Sequence, residues 1–260
     1  MPATRPLEFD VRGNIACLQF NRPQVLNALN VEAADAFLKA CEELSLLPEV
    51  RAIVIAGAGP AFMAGGDLAL MKDDPVRSAR SLIEPMHAGL QLLALGKAPV
   101  IAALHGVVAG AGLSIALNVD LAIAAEGTKF NLAYANVGTS CDLGASWGLP
   151  RIVGLRRALQ IALLSDPFDV EQALAWGIVN WIVPEKSLKN EAMAVADRLA
   201  AAASIAIGNI KKLMRTSFDN TLAQHLDCER DAFLECAATS DFKEGVSAFL
   251  ERRRATFSGC

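Results

Sequence analysis

The feature that most constrains this chain is a repeated pairing in its first half. A short, unbroken apolar run is followed each time by a loop rich in glycine and alanine. Arg51-Ala52-Ile53-Val54-Ile55-Ala56 leads into Gly57-Ala58-Gly59-Pro60-Ala61-Phe62-Met63-Ala64-Gly65-Gly66-Asp67-Leu68. Pro99-Val100-Ile101-Ala102-Ala103-Leu104 leads into Gly106-Val107-Val108-Ala109-Gly110-Ala111-Gly112-Leu113-Ser114. A strand without polar alternation has no face to give to water, so these runs read as strands covered on both sides. Apolar residues at helical spacing precede each run: Phe37, Leu38, Cys41 and Leu44 before the first, and Leu82, Ile83, Met86, Leu90 and Leu93 before the second. Helix, strand, glycine loop, helix, strand (Asp120–Ala125) is the order of an α/β protein with a largely parallel sheet.

Around this frame, Leu7–Phe20 reads as a hairpin turning at Gly13-Asn14, and Asn30 as the cap of a helix stopped by Pro48. After about Arg151 the pattern becomes mostly helical. Leu155–Leu164 and Val170–Trp176 precede a last strand at Ile178–Val183, and helices are expected over Leu188–Ala202, Ala206–Arg215, Leu222–Cys236 and Phe242–Arg253. No Gly/Ser linker divides the 260 residues, which is length enough for a core that needs no covalent staples.

Composition excludes several functions. With 53% hydrophobic and 20% charged residues, disorder is ruled out. A net charge of −4 supplies no basic field for nucleic acid. The apolar stretch Ala98–Ala125 is long enough for a bilayer, but His105, Ser114, Asn118, Asp120 and its glycines suit buried strand-turn-helix better. Met1–Glu8 lacks the apolar segment of a signal peptide, so the expectation is a soluble cytoplasmic protein without a membrane partner. The six cysteines are scattered without a CxxC and read as reduced thiols, mostly core filler, with no metal site.

Each glycine loop allows close approach of a ligand to backbone, and a helix starting there offers unpaired N–H groups. Two such loops on neighbouring strands suit an oxyanion hole. Tight helix–strand packing also asks for glycine and alanine, and composition alone leaves both readings open. Neither loop ends in the GK[ST] of a phosphate-binding P-loop, and GxGxxG is absent.

The motifs, taken together, resemble the crotonase (enoyl-CoA hydratase/isomerase) superfamily over nearly the whole chain. Asn21-Arg22-Pro23 with Asn27-Ala28-Leu29 is similar to its N-terminal signature, and Ala61–Leu68 to its first oxyanion loop. Lys97–Ala103, Gly106 and Ala109–Gly112 are similar to the second, with Gly138, Leu149-Pro150-Arg151, Gly154 and Ala173–Asn180 downstream. The resemblance implies a spiral of ββα units (the ClpP/crotonase-like fold) over residues 1–195, and a helical trimerisation region over 196–260 that builds a homotrimer or hexamer. It implies an acyl-CoA thioester substrate of fatty-acid metabolism, with coenzyme A as part of the substrate and no separate cofactor. The N–H groups of Gly66 and Ala111 would hold the thioester oxygen. Leu26, Ala28, Ala64, Asp67 and Leu68 fall in the CoA-binding segments, and Arg253, within Arg252-Arg253-Arg254, falls where related enzymes place cations near CoA phosphates. Complementing the end of a helix is the alternative role of that basic run.

The chain departs from the hydratase pattern. Hydration needs two acid/base groups, and the two positions that hold glutamates in hydratases are Ser114 and Tyr134 here. Asp142, in Gly138-Thr139-Ser140-Cys141-Asp142-Leu143-Gly144, instead matches the catalytic carboxylate of Δ3-Δ2-enoyl-CoA isomerases and of the ring-opening isomerase of phenylacetate degradation. It also matches the nucleophile of 4-chlorobenzoyl-CoA dehalogenase, whose histidine aligns with His87 and whose pocket tryptophan aligns with Tyr134. The expectation is an enoyl-CoA isomerase with Asp142 as acid/base and Tyr134 beside it. Alternatives are dehalogenase-like hydrolysis (Asp142 nucleophile, His87 base), hydration by other groups, and a non-catalytic acyl-CoA-binding paralogue. From the residues alone, capping of the following helix is the plainer role for Asp142, and a helix-flank position with one satisfied hydrogen bond is the plainer role for His87.

Overall fold

The computed structural model describes residues 5–259. Leu7–Arg12 (β1) and Ile15–Phe20 (β2) form the expected antiparallel hairpin, turned by Gly13 at φ +60°. Asn30 caps Val31–Ser45 (α1) by accepting a 3.0 Å hydrogen bond from Ala33 N–H. Ala52–Gly57 (β3), Pro75–Leu95 (α2) and Val100–Leu104 (β4) follow. Next come Val107–Ala109 (β5), Ala111–Asn118 (α3), Leu121–Ala125 (β6) and Lys129–Asn131 (β7). The second half holds Ala145–Val153 (α4), Leu155–Leu164 (α5), Phe168–Asp169 (β8), Val170–Ala175 (α6) and Trp181–Val183 (β9). Leu188–Ala200 (α7), Ser204–Thr216 (α8), Leu222–Ala237 (α9) and Ser240–Leu250 (α10) complete the described chain.

A six-stranded sheet runs β1-β2-β3-β4-β6-β9, parallel from β2 onward. Strand alternation divides its side chains between two cores. Ala52, Val54, Ile101, Ala103 and Ile123 point to one face, where Leu188, Ala192 and Ala196 of α7 cover them. Leu18, Phe20, Ile53, Ile55 and Ala102 point to the other, with α1, α2 and α3. Phe20 stacks on Phe37 of α1 at 5.9 Å, and each fully buried side chain of that size contributes about 1.5–3 kcal/mol. The helices approach closely there: a Cβ at Gly89 of α2 would stand 2.7 Å from the Phe37 ring.

A second sheet, β5-β7-β8, was not anticipated from the residues, because its strands are only two or three residues long. Each of β4 and β6 leaves the large sheet through a short turn into a strand of the small one, giving the ββα winding. Two isolated parallel bridges extend the small sheet toward the N-terminus: Met63 pairs with Val108, and Leu29 with Gly66. The glycine loop after β3 is therefore an irregular member of this second layer. Stacking of Phe130 on Phe168 (5.4 Å) and a tilted contact of Phe168 with Trp176 (5.1 Å) fasten it.

The stretch 98–125 is β4, β5, α3 and β6, all within the buried core, and no single described helix is long and apolar enough to cross a membrane. Two expectations are corrected. Residue 195 lies inside α7, whose Ala192 and Ala196 are buried against the sheet, so the expected boundary falls within a helix of the core. Among the described cysteines only Cys41 is core filler, its thiol pushed up to about 12 by burial; Cys17, Cys141 and Cys236 are half-buried and Cys228 is exposed. Cys260 lies outside the described residues.

Candidate active site

The segment after β3 alternates its hydrogen bonds residue by residue. Met63 faces the small sheet, donating to Val107 O (3.1 Å) and accepting from Ala109 N–H (2.8 Å). Ala64 turns the other way and donates to Leu26 O (3.0 Å). Leu29 then closes around Gly66, donating to Gly65 O (2.8 Å) and accepting from Asp67 N–H (2.8 Å). Gly65 O and Asp67 N–H both point at Leu29, so the extended backbone turns the N–H of Gly66 to the opposite side, that of residues 109–111. There Ala111 begins α3, and a first-turn N–H has no partner within its own helix. The loops nearly touch: a Cβ at Gly65 (φ +110°) would lie 3.7 Å from Ala109 O and 4.0 Å from Ala111 N. At Gly112 a Cβ would stand 2.5 Å from Met63 O, so only glycine lets α3 start so close. These contacts show the tight packing that one reading of the loops called for, and the same packing brings the backbone at Gly66 close to the start of α3.

Both residues open onto a cavity of about 620 Å³, whose apolar wall includes Leu82, Ile83 and Met86 of α2 together with Leu143. Asp142 and Tyr134 face the same space, and Asp142 is the only carboxylate lining it among the described residues. The Asp142 carboxylate does not cap α4. The cap position is Gly144, without a side-chain bond, and Asp142 contributes only its backbone carbonyl, to Ala145 N–H (3.0 Å). Its side chain instead accepts a hydrogen bond from Tyr134 Oη–H. Burial pushes the carboxyl above its ordinary value, against the opposing pull of the Tyr134 hydroxyl and of His87. Burial beside that carboxylate raises the Tyr134 phenol in turn.

The loop carrying Asp142 is fixed through Leu143. That residue takes a left-handed conformation (φ +48°) and buries its side chain in the core. Its N–H donates to His87 Nε2 (3.1 Å), and its carbonyl accepts from Asn118 Nδ2 (3.0 Å). His87 therefore sits behind the loop and outside the cavity lining, with Nε2 occupied as an acceptor. That bond is the one satisfied hydrogen bond of the plainer helix-flank role, and the alternative role as a base would need a nitrogen other than Nε2.

The CoA-segment residues divide. Ala64 and Leu68 line the cavity. Leu26 is exposed in a left-handed turn (φ +51°). Ala28 and Asp67 are gripped by Arg22, whose guanidinium donates to the Ala28 carbonyl (2.5 Å) and to Asp67 Oδ2 (3.2 Å). Arg22 thus clasps the segment at Ala28 to the loop after β3 through Asp67 Oδ2. Arg253 pairs with Glu244 (2.6 and 2.8 Å) and Glu251 (2.6 Å) and does not line this cavity; related enzymes often present such cations to the CoA of an adjoining subunit. Among the described residues, no three of His, Cys, Asp and Glu gather as metal ligands do.

Sequence reasoning passed over Asn118 and treated Ser114 only as a missing glutamate. Ser114 is fully buried, and its Oγ lies 2.8 Å from Tyr134 Oη and 3.1 Å from Gly110 O. Its signal was a hydroxyl at a core position of an otherwise apolar helix.

A winding of ββα units sets two main-chain segments, at Gly66 and Ala111, over one largely apolar cavity, an arrangement suited to holding a carbonyl oxygen beside an apolar group. The chain belongs to the enoyl-CoA hydratase/isomerase family, which it matches over residues 10–259. It is 36% identical over 253 residues to the 1,2-epoxyphenylacetyl-CoA isomerase of Escherichia coli, covering 96% of this chain and 97% of that protein. It is 32% identical over 244 residues to the crotonyl-CoA hydratase of Syntrophomonas wolfei, covering 94% of each. The crystal structure of an enoyl-CoA hydratase from Polaromonas sp. JS666 superposes with a TM-score of 0.90 at 33% identity, covering 96% of this chain and 99% of that one.

Proposed function

We propose that this protein is an enoyl-CoA isomerase that moves a double bond through a thioester enolate. The observation that carries this reading is the single carboxylate of the cavity: Asp142 faces the acyl space, while the positions of both hydratase glutamates hold Ser114 and Tyr134. Moving a double bond needs one group that takes a proton beside the thioester and returns it farther along the chain. Adding water needs a second. In this account Gly66 and Ala111 donate to the thioester oxygen, each donor contributing about 10²–10³ in rate. Asp142 takes the α-proton, the C–H electron pair moves to the oxygen, and the same carboxyl delivers the proton to the γ-carbon. Its raised pKa makes it the stronger base once ionised and lets it hold the proton until delivery. The E. coli relative named an isomerase of 1,2-epoxyphenylacetyl-CoA supports an isomerisation on an acyl-CoA.

Asp142→Asn is expected to slow isomerisation of a 3-enoyl-CoA by about 10²–10⁴-fold. Isomerisation that survives this substitution undiminished would falsify the assignment. The exposed apolar side chains of the tail, Phe233 and Leu234 on α9 and Phe249 and Leu250 on α10, support assembly into a homotrimer or hexamer.

A further inference from the structure

Ser114 carries one proton and stands between two acceptors, Tyr134 Oη at 2.8 Å and Gly110 O at 3.1 Å. Tyr134 in turn donates to Asp142. When Asp142 is ionised, the charge orders the chain: Tyr134 donates its hydrogen bond to the carboxylate, and its oxygen becomes a better acceptor for Ser114. When Asp142 is neutral that pull is gone, and the Ser114 proton is released toward Gly110 O. Gly110 C=O and Ala111 N–H belong to one peptide unit, and a hydrogen bond to the carbonyl polarises the N–H on the other side of it. The N–H in question is one of the two donors facing the cavity.

We propose that Ser114 is a switching hydroxyl that ties the charge of Asp142 to the strength of Ala111 N–H as an oxyanion donor. The inference rests on the isomerase reading above and adds timing to it. Asp142 becomes neutral at the moment it takes the substrate proton, which is also the moment the enolate oxygen gains its charge. Ser114 then turns to Gly110 and strengthens the donor on that oxygen. When Asp142 gives the proton back, Ser114 returns to Tyr134. No proton leaves Ser114 or Tyr134; only their hydrogen bonds change direction. The groups that bear on Asp142 are Tyr134, His87 and Cys141, and none of them needs to titrate for the switch to work.

Cooperative strengthening of about 10–30%, applied to a donor whose complete loss costs about 10²–10³ in rate, predicts that Ser114→Ala lowers kcat about two- to eightfold and leaves KM unchanged. A merely structural serine would produce the same fall, so the deciding readout is the carbonyl stretch of bound carbonyl-¹³C butyryl-CoA, read on the high-pH plateau of its pH dependence. Ser114→Ala is expected to leave that stretch in place when Asp142 is present, and to raise it in the Asp142→Asn background. Tyr134→Phe is expected to lower it, because Ser114 then has only Gly110 left to bond. An equal shift on Ser114→Ala in both backgrounds, or a shift in neither, overturns the switch and leaves the isomerase reading intact. A stretch in the unsubstituted protein equal to that of free butyryl-CoA overturns the oxyanion hole and the switch together.

Discussion

The two halves of the site are built differently. Gly66 and Ala111 are presented by main chain, and their positions follow from strand register and from glycines that admit no Cβ. Asp142 is presented by a loop without regular structure, held by side chains from α2 and α3 that bond to the backbone of Leu143. The first half can change only if the winding changes. The second is set by a few substitutable side chains, and it is there that Ser114, Tyr134 and Asp142 depart from the hydratase pattern.

The largest effect is expected where the backbone half is broken. Gly112→Ala places a Cβ 2.5 Å from Met63 O, which forces the start of α3 away from the strand beside it. Activity should fall by about 10²–10³, the cost of one oxyanion donor, with acyl-CoA binding weakened and circular dichroism little changed. Full activity would show that the two loops tolerate displacement.

Loosening the side-chain half should cost less. His87→Phe leaves the Leu143 N–H without its acceptor, a loss of about 1–3 kcal/mol in stability by urea titration. Drift of Asp142 is expected to lower kcat by about 10–100-fold with KM for the CoA ester nearly unchanged. A rise in KM at constant kcat would instead place His87 in ligand binding.

The smallest effect carries the sharpest sign. Burial holds the Asp142 carboxyl above its ordinary value, so the folded state disfavours its charge. The resulting penalty is absent below the unfolded pKa of about 3.9 and complete above the folded one. Asp142→Asn should therefore raise thermal stability near neutral pH while slowing turnover by about 10²–10⁴-fold, and the gain should vanish as pH falls toward the unfolded value. Turnover in the unsubstituted enzyme should rise as pH climbs through the raised pKa. Destabilisation by Asp142→Asn at neutral pH would contradict the sign of the shift.

This contrast also explains what was legible in the residues. The main sheet could be read because β3, β4 and β6 are continuous apolar runs, and α1 and α2 because their buried stripes keep helical spacing. The second sheet could not, since strands such as Phe168–Asp169 are too short for any period to show. The oxyanion loops stood out by composition and by resemblance, but their alignment depends on the bridges at Leu29–Gly66 and Met63–Val108, which join residues far apart in the chain. Asp142 could be singled out, whereas its bond to Tyr134 and the pinning of its loop by His87 and Asn118 needed three dimensions. The basic run at Arg253 stood out, but a run of like charges does not reveal its partners, here Glu244, nine residues away, and Glu251, two away.

A crystal structure with a saturated acyl-CoA bound tests the central claim most directly. The account predicts the thioester oxygen about 3 Å from both Gly66 N and Ala111 N, with an Asp142 carboxylate oxygen against the acyl carbons beside the carbonyl. An oxygen bound by neither N–H, or a carboxylate turned from the acyl chain, would contradict it.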